Sequence, residues 1–201
     1  MHFKIGAVHW HISFLFCILL SLMLLFDSGF MVPTMLTVCA HESAHLLAMY
    51  CCAVKVEAVR LEPFGIIIEK QDEEMPFSSQ FMITAAGCIL NFLLAVLFLF
   101  LYFCKQTEVH FTLFAVNVLL FSLNVLPIDG LDGGQLLTLF LIKRKGMQKA
   151  RTIGKKVSLC CCVLLFISGA IICFKIRFNP SICLISFVLF VQTLLKNMNC
   201  N

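Results

Sequence analysis

Between Met75 and Cys104 thirty consecutive residues carry no Asp, Glu, Lys or Arg. A helix of about 20 apolar residues crosses a hydrocarbon core about 30 Å thick, so a run of this length predicts a membrane span. Similar runs occupy residues 5–26, 28–54, 109–128, 157–174 and 178–195, the second interrupted only by His41, Glu42 and His45. Together they predict six spans, at about 9–27, 30–51, 78–103, 109–126, 157–174 and 179–195, with the fourth continuing as a broken segment to 142. Composition agrees. Apolar residues make up 61% of the chain, charged ones 13%, and the mean hydropathy is +0.99, against roughly 45–50% and about 25% in soluble proteins. A water-soluble fold would lack the polar surface to cover itself, and a disordered chain is poor in such residues. The expected fold class is an all-α polytopic membrane protein, one domain over residues 1–201.

Cationic residues set orientation, because Lys and Arg accumulate in cytoplasmic loops. With the amino terminus inside, twelve of the fifteen fall on the cytoplasmic side, so both termini are expected in the cytoplasm. Only Lys4 precedes the first run, and no small-x-small site follows it, so that run reads as a retained helix rather than a cleaved leader. No basic stripe interleaves with aromatics, which argues against nucleic acid. The twelve Cys include no C-x-x-C pair and read as small apolar fillers.

Two segments depart from plain spans and loops. Residues 54–70 alternate, are rich in β-branched side chains and break at Pro63-Phe64-Gly65, which predicts a short cytoplasmic β-hairpin between the second and third spans. The second runs Asn124-Val-Leu-Pro127-Ile-Asp129-Gly130-Leu-Asp132-Gly133-Gly134. Its Pro and Gly residues break a helix within an apolar stretch. Broken backbone at membrane depth persists only where it is buried in protein or lines a wet cavity.

His41-Glu42-Ser43-Ala44-His45 is an H-E-x-x-H sequence inside the second span. On a helix, residues four apart share a face, so both imidazoles can bind one zinc ion while Glu42 serves as general base toward a water. Ionisable groups at the bilayer centre cost about 2.5–3.5 kcal/mol each on insertion scales and mark functional sites. A third protein ligand is needed, and Asp129 and Asp132 are the acidic residues at membrane depth in another segment. Each precedes a Gly, and spacing alone does not choose between them.

These residues together resemble the site-2 protease family of intramembrane zinc metalloproteases, peptidase family M50. Its second motif pairs an Asn, a Pro three residues on and an Asp-Gly five residues after the Pro. Asn124, Pro127 and Asp132-Gly133 match that register, whereas Asp129-Gly130 does not. Residues 86–91, Ala-Gly87-Cys-Ile-Leu-Asn91, are similar to its small-Gly-x-x-x-Asn stretch. Within the family the chain most resembles the compact stage IV sporulation protease, which cleaves a membrane-tethered sigma-factor precursor.

The resemblance implies one Zn2+ per chain held by His41, His45 and Asp132, with Glu42 as general base. The expected reaction is hydrolysis of a peptide bond in or beside a membrane span of a tethered protein, a sigma-factor precursor or an anti-sigma factor. It implies a bacterial cell membrane as the location and a regulatory membrane protein as a further partner. Neither a PDZ module between the spans nor a nucleotide-binding regulatory domain after the sixth is expected. Asn124 is a candidate donor to the substrate carbonyl or oxyanion, or equally a polar helix end ahead of Pro127. Gly87, Asn91, Pro127 and Gly133 read as structural, Gly87 and Asn91 by packing helices closely. Gly65, Ile66 and Ile67 could pair with an extended substrate strand.

Two other classes fit part of the pattern. A non-catalytic zinc-binding scaffold of the same fold needs no general base, and Glu42 is intact. A metal transporter also places His and Asp in the membrane, but the hydrophobic pattern has no inverted repeat.

Overall fold

The computed structural model describes residues 2–5, 8–12, 30–54, 56–62, 65–70 and 75–175. The sixth expected span, the turn residues Pro63 and Phe64, and most of the first span lie outside them. Two compact units divide the chain, Met1–Phe121 and Ser122–Asn201.

In the first unit, strands β1 (His2–Ile5), β2 (Val8–Ile12), β3 (Val56–Glu62) and β4 (Gly65–Lys70) form one sheet in that order. β1 and β2 pair antiparallel, β2 and β3 run parallel from His9↔Ala58 to Ile12↔Leu61, and β3 and β4 are antiparallel up to Glu62↔Gly65. β4 is therefore a terminal strand. Residues 9–12, assigned above to the start of a helical span, are instead strand. Val8-His9-Trp10-His11-Ile12 alternates apolar and polar residues, a period of two that suits a sheet and that a search for uncharged runs overlooks.

Helix α1 (Met31–Cys51) tolerates Pro33 because the first turn has no intrahelical acceptor for its missing N–H. Thr34, Thr37 and Ser43 donate their hydroxyls to the carbonyls four residues back, which satisfies them without water. The helix stops in a Schellman closure: Val54 N–H donates to Met49 O at 2.9 Å and Ala53 N–H to Tyr50 O at 3.0 Å. Ala53 takes the left-handed conformation, φ +55°, that glycine usually fills.

The long apolar helix α2 (Phe77–Lys105) buries Ile83, Gly87, Asn91 and Ala95 at four-residue spacing, and α1 buries Thr37, His41, His45 and Met49 at the same interval. These small and polar stripes let two membrane helices approach closely and bond across the gap, and α1 packs against α2. Helix α3 spans Glu108–Val125. Its Asn117, fully buried, donates to Leu113 O at 2.8 Å and to Thr37 Oγ1 at 3.5 Å.

In the second unit, residues 126–131 separate α3 from α4 (Asp132–Lys145), and Gly146 separates α4 from α5 (Met147–Lys175). α5 begins ten residues before the expected span, so the basic run rides on the helix, where long cationic side chains extend to water. Its Ala150, Gly154, Ser158 and Cys162 form a small-residue stripe, and α5 packs on α4. Among the described residues, α2, α3 and α5 are long and apolar enough to cross a membrane. α1, weighed down by His41, Glu42 and His45, does not reach that threshold.

Candidate metal centre

One face of α1 carries both imidazoles, 4% and 8% exposed for His41 and His45. Four-residue spacing turns both rings the same way, and their Nε2 atoms stand 3.2 Å apart. His45 Nδ1 lies 2.7 Å from the Ile83 carbonyl of α2. A carbonyl only accepts, so Nδ1 carries the proton and His45 Nε2 presents a lone pair. His41 Nδ1 meets the Asn91 amide at 2.9 Å.

Two proton arrangements satisfy this geometry. With Asn91 Nδ2 donating to His41 Nδ1, the His41 proton sits on Nε2 and is donated to His45 Nε2. Asn91 Oδ1, in a residue with no exposed surface, then has no partner. A half-turn of the amide exchanges its oxygen and nitrogen at nearly equal cost. Oδ1 then accepts from His41 Nδ1–H, and both Nε2 lone pairs face one small volume. The second arrangement is that of histidines ligating a metal, whose other ring nitrogen is held by a carbonyl or amide.

Gly87 forms the floor beneath the rings. A Cβ there would come within 2.6 Å of His41 Nε2 and closer still to His45 Nε2. Only a residue without a side chain leaves the ligating edges uncovered. The donor set and its cradle thus fit a zinc ion.

In the second unit the broken segment is a defined turn. Leu131 N–H donates to Ile128 O at 3.0 Å, and Gly130 has φ +106°, so Ile128–Leu131 turn with glycine at the position that requires positive φ. Asp129 N–H donates to Ser158 Oγ on α5 at 2.8 Å. A Cβ on Gly133 would strike the Val125 carbonyl, and one on Gly134 the Ile128 carbonyl. These glycines let α4 start directly beneath the turn. Asp132 is the first residue of α4, 8% exposed, with its carboxylate in the helix's opening turn, where the exposed backbone N–H groups favour negative charge. Asp129-Gly130 makes the turn, and Asp132-Gly133 heads the helix.

His41, His45 and Asp132 are all buried, and each offers one ligand atom. Glu42 is half-buried beside His41, Asn124 half-buried in the last turn of α3, and Pro127 half-buried in the following segment. Gly65, Ile66 and Ile67 open β4. Asn91 does bond between helices, but its partner is the His41 ring, a role its four-residue distance from Gly87 did not disclose.

Residues 29–111 match the model of peptidase family M50. The chain is 31% identical over 164 residues to stage IV sporulation protein FB of Bacillus subtilis, covering 80% of this chain and 51% of that one. The chain is similar to members of the M50, or site-2 protease, family. A zinc metalloprotease of Methanocaldococcus jannaschii is 26% identical over 132 residues, 61% of this chain and 38% of that protein. The chain thus spans about half or less of the curated relatives it matches. The site-2 protease from M. jannaschii shares its fold, with TM-score 0.70 at 19% identity over 97% of this chain and 94% of that one.

Proposed function

We propose that the chain is an intramembrane zinc endopeptidase that hydrolyses a peptide bond in or beside a membrane span of a tethered substrate. The observation that carries this reading is the pair of buried Nε2 atoms 3.2 Å apart over Gly87, each ring held from behind by α2. His41, His45 and Asp132 hold one zinc. Zinc, when bound, supplies a Lewis acid and makes a water acidic enough to attack a carbonyl near neutral pH.

The remaining steps fall to the chain's own side chains. A Glu42 carboxylate oxygen accepts a proton from the attacking water and delivers it to the leaving amine nitrogen. Asn124 donates its amide N–H to the oxygen of the scissile carbonyl. A helical substrate hides its peptide bonds, and the terminal strand β4 offers the main chain of Gly65, Ile66 and Ile67 to hold it extended. Six spans with both termini in the cytoplasm and a bacterial cell membrane complete the reading. Both rest on the distribution of Lys and Arg and on the sporulation relative. A sigma-factor precursor or anti-sigma factor is the substrate class, under control of a membrane partner.

The test is reconstitution with a tagged single-span substrate, wild type against Glu42→Gln. Cleavage by the wild type alone is expected. Cleavage that persists in the variant contradicts the mechanism, and cleavage by neither favours a scaffold.

A further inference from the structure

Within the second unit a cleft of about 620 Å3 opens between the 126–131 segment, α4 and the first turns of α5. Arg151, Lys155 and Lys156 line it, with Leu137 and Pro127 as apolar wall and Asp129 as its one carboxylate. Those four charges leave it net positive. Asp129 is the one acidic side chain on the lining, and no Asp or Glu occurs from Gly133 to Lys175, so the cations outnumber the carboxylate three to one. Among the described residues Arg151, Lys155 and Lys156 make no ion pair. Lys155 is nevertheless half-buried, and a cleft whose cations outnumber its carboxylates draws negative charge from outside.

The depth of the cleft narrows what that counter-charge is. Lys156 directly precedes Val157, where the uncharged run of α5 begins, and α5 is a candidate membrane span. The three cations therefore sit at the boundary where lipid phosphates lie, with Leu137 and Pro127 on the same lining to meet apolar chain. We propose that this cleft is a binding site for a phosphodiester, supplied by the headgroup of one anionic lipid. The lining includes none of His41, His45 and Asp132, and its occupancy does not depend on proteolysis.

The experiment uses the full chain, purified and stripped of lipid, titrated with phosphatidylglycerol or phosphatidylcholine and read by native mass spectrometry. One phosphatidylglycerol is expected to bind in preference to phosphatidylcholine. Each cation near a bilayer surface is worth roughly fivefold in affinity, so Arg151→Gln/Lys155→Gln should weaken the first binding step by about 25-fold. Lys143→Gln/Lys145→Gln at the hairpin tip should change it less than about twofold, and Lys155→Arg, which keeps the charge, should retain it. Equal losses in both double variants would mean diffuse attraction and would overturn the site, as would equal affinity for the two lipids. Displacement by millimolar inorganic phosphate would keep the anion site but make soluble phosphate its ligand. Displacement by an acidic peptide, with the same dependence on Arg151 and Lys155, would overturn the lipid assignment.

Discussion

The side-chain amide of Asn91 meets Nδ1 of His41 at 2.9 Å across the packing of α1 on α2. A metal ligand needs its proton on the far nitrogen, and Asn91 is the group able to accept it there. Replacing it by Leu keeps the volume but leaves His41 free to choose its tautomer and tilt. Loss of such outer partners lowers metal affinity by about 10- to 100-fold. Asn91→Leu should show that loss in competition with a chromogenic chelator, whereas Asn91→Asp, which still accepts, should retain zinc. Equal affinity in the Leu variant would remove Asn91 from the account.

Gly87 is required by what lies above it rather than by backbone conformation. Adding one methyl places carbon against both ligating nitrogens, and neither ring can retreat while Ile83 O and Asn91 hold their far sides. Gly87→Ala should therefore abolish zinc binding. Overpacking of this kind costs about 1–3 kcal/mol, so the protein should remain folded by circular dichroism. A Gly87→Ala protein with full zinc content would contradict the cradle.

The turn at 128–131 leans on α5 through Ser158, which is 1% exposed. Ser158→Ala removes the acceptor of the part-buried Asp129 N–H, at about 1–3 kcal/mol. A lower thermal midpoint and faster amide exchange at Asp129 and Gly130 are expected. Unchanged exchange would show that the turn holds itself.

Ala53 closes α1 in the left-handed conformation at φ +55°, a strain of roughly 1–2 kcal/mol for a residue with a Cβ. Ala53→Gly should raise the thermal midpoint. A lower midpoint would mean that glycine's extra freedom in the unfolded chain outweighs the strain relieved.

Periodicity and charge made much of this legible. Uncharged runs placed α1, α2 and α3 within two residues of their ends, and the His41–His45 spacing put both imidazoles on one face of α1. What stayed hidden depends on contacts distant in sequence. β2 reads as part of an apolar run until its alternation is weighed, and its parallel partner lies some fifty residues on. Nothing in the local sequence shows that Asn91 reaches His41 rather than another helix backbone, because the bond depends on the register between α1 and α2. The early start of α5 was masked by its charges, since Lys149, Arg151, Lys155 and Lys156 suit a solvated helix as well as a loop.

Zinc stoichiometry, measured by inductively coupled plasma mass spectrometry on purified protein, bears most directly on the proposed centre. One zinc per chain is expected in the wild type, in Glu42→Gln and in Asp129→Ala, with loss in His41→Ala, His45→Ala and Asp132→Ala. Full zinc in Asp132→Ala, or its loss in Asp129→Ala with Asp132 intact, would contradict the ligand set on which the proposed chemistry stands.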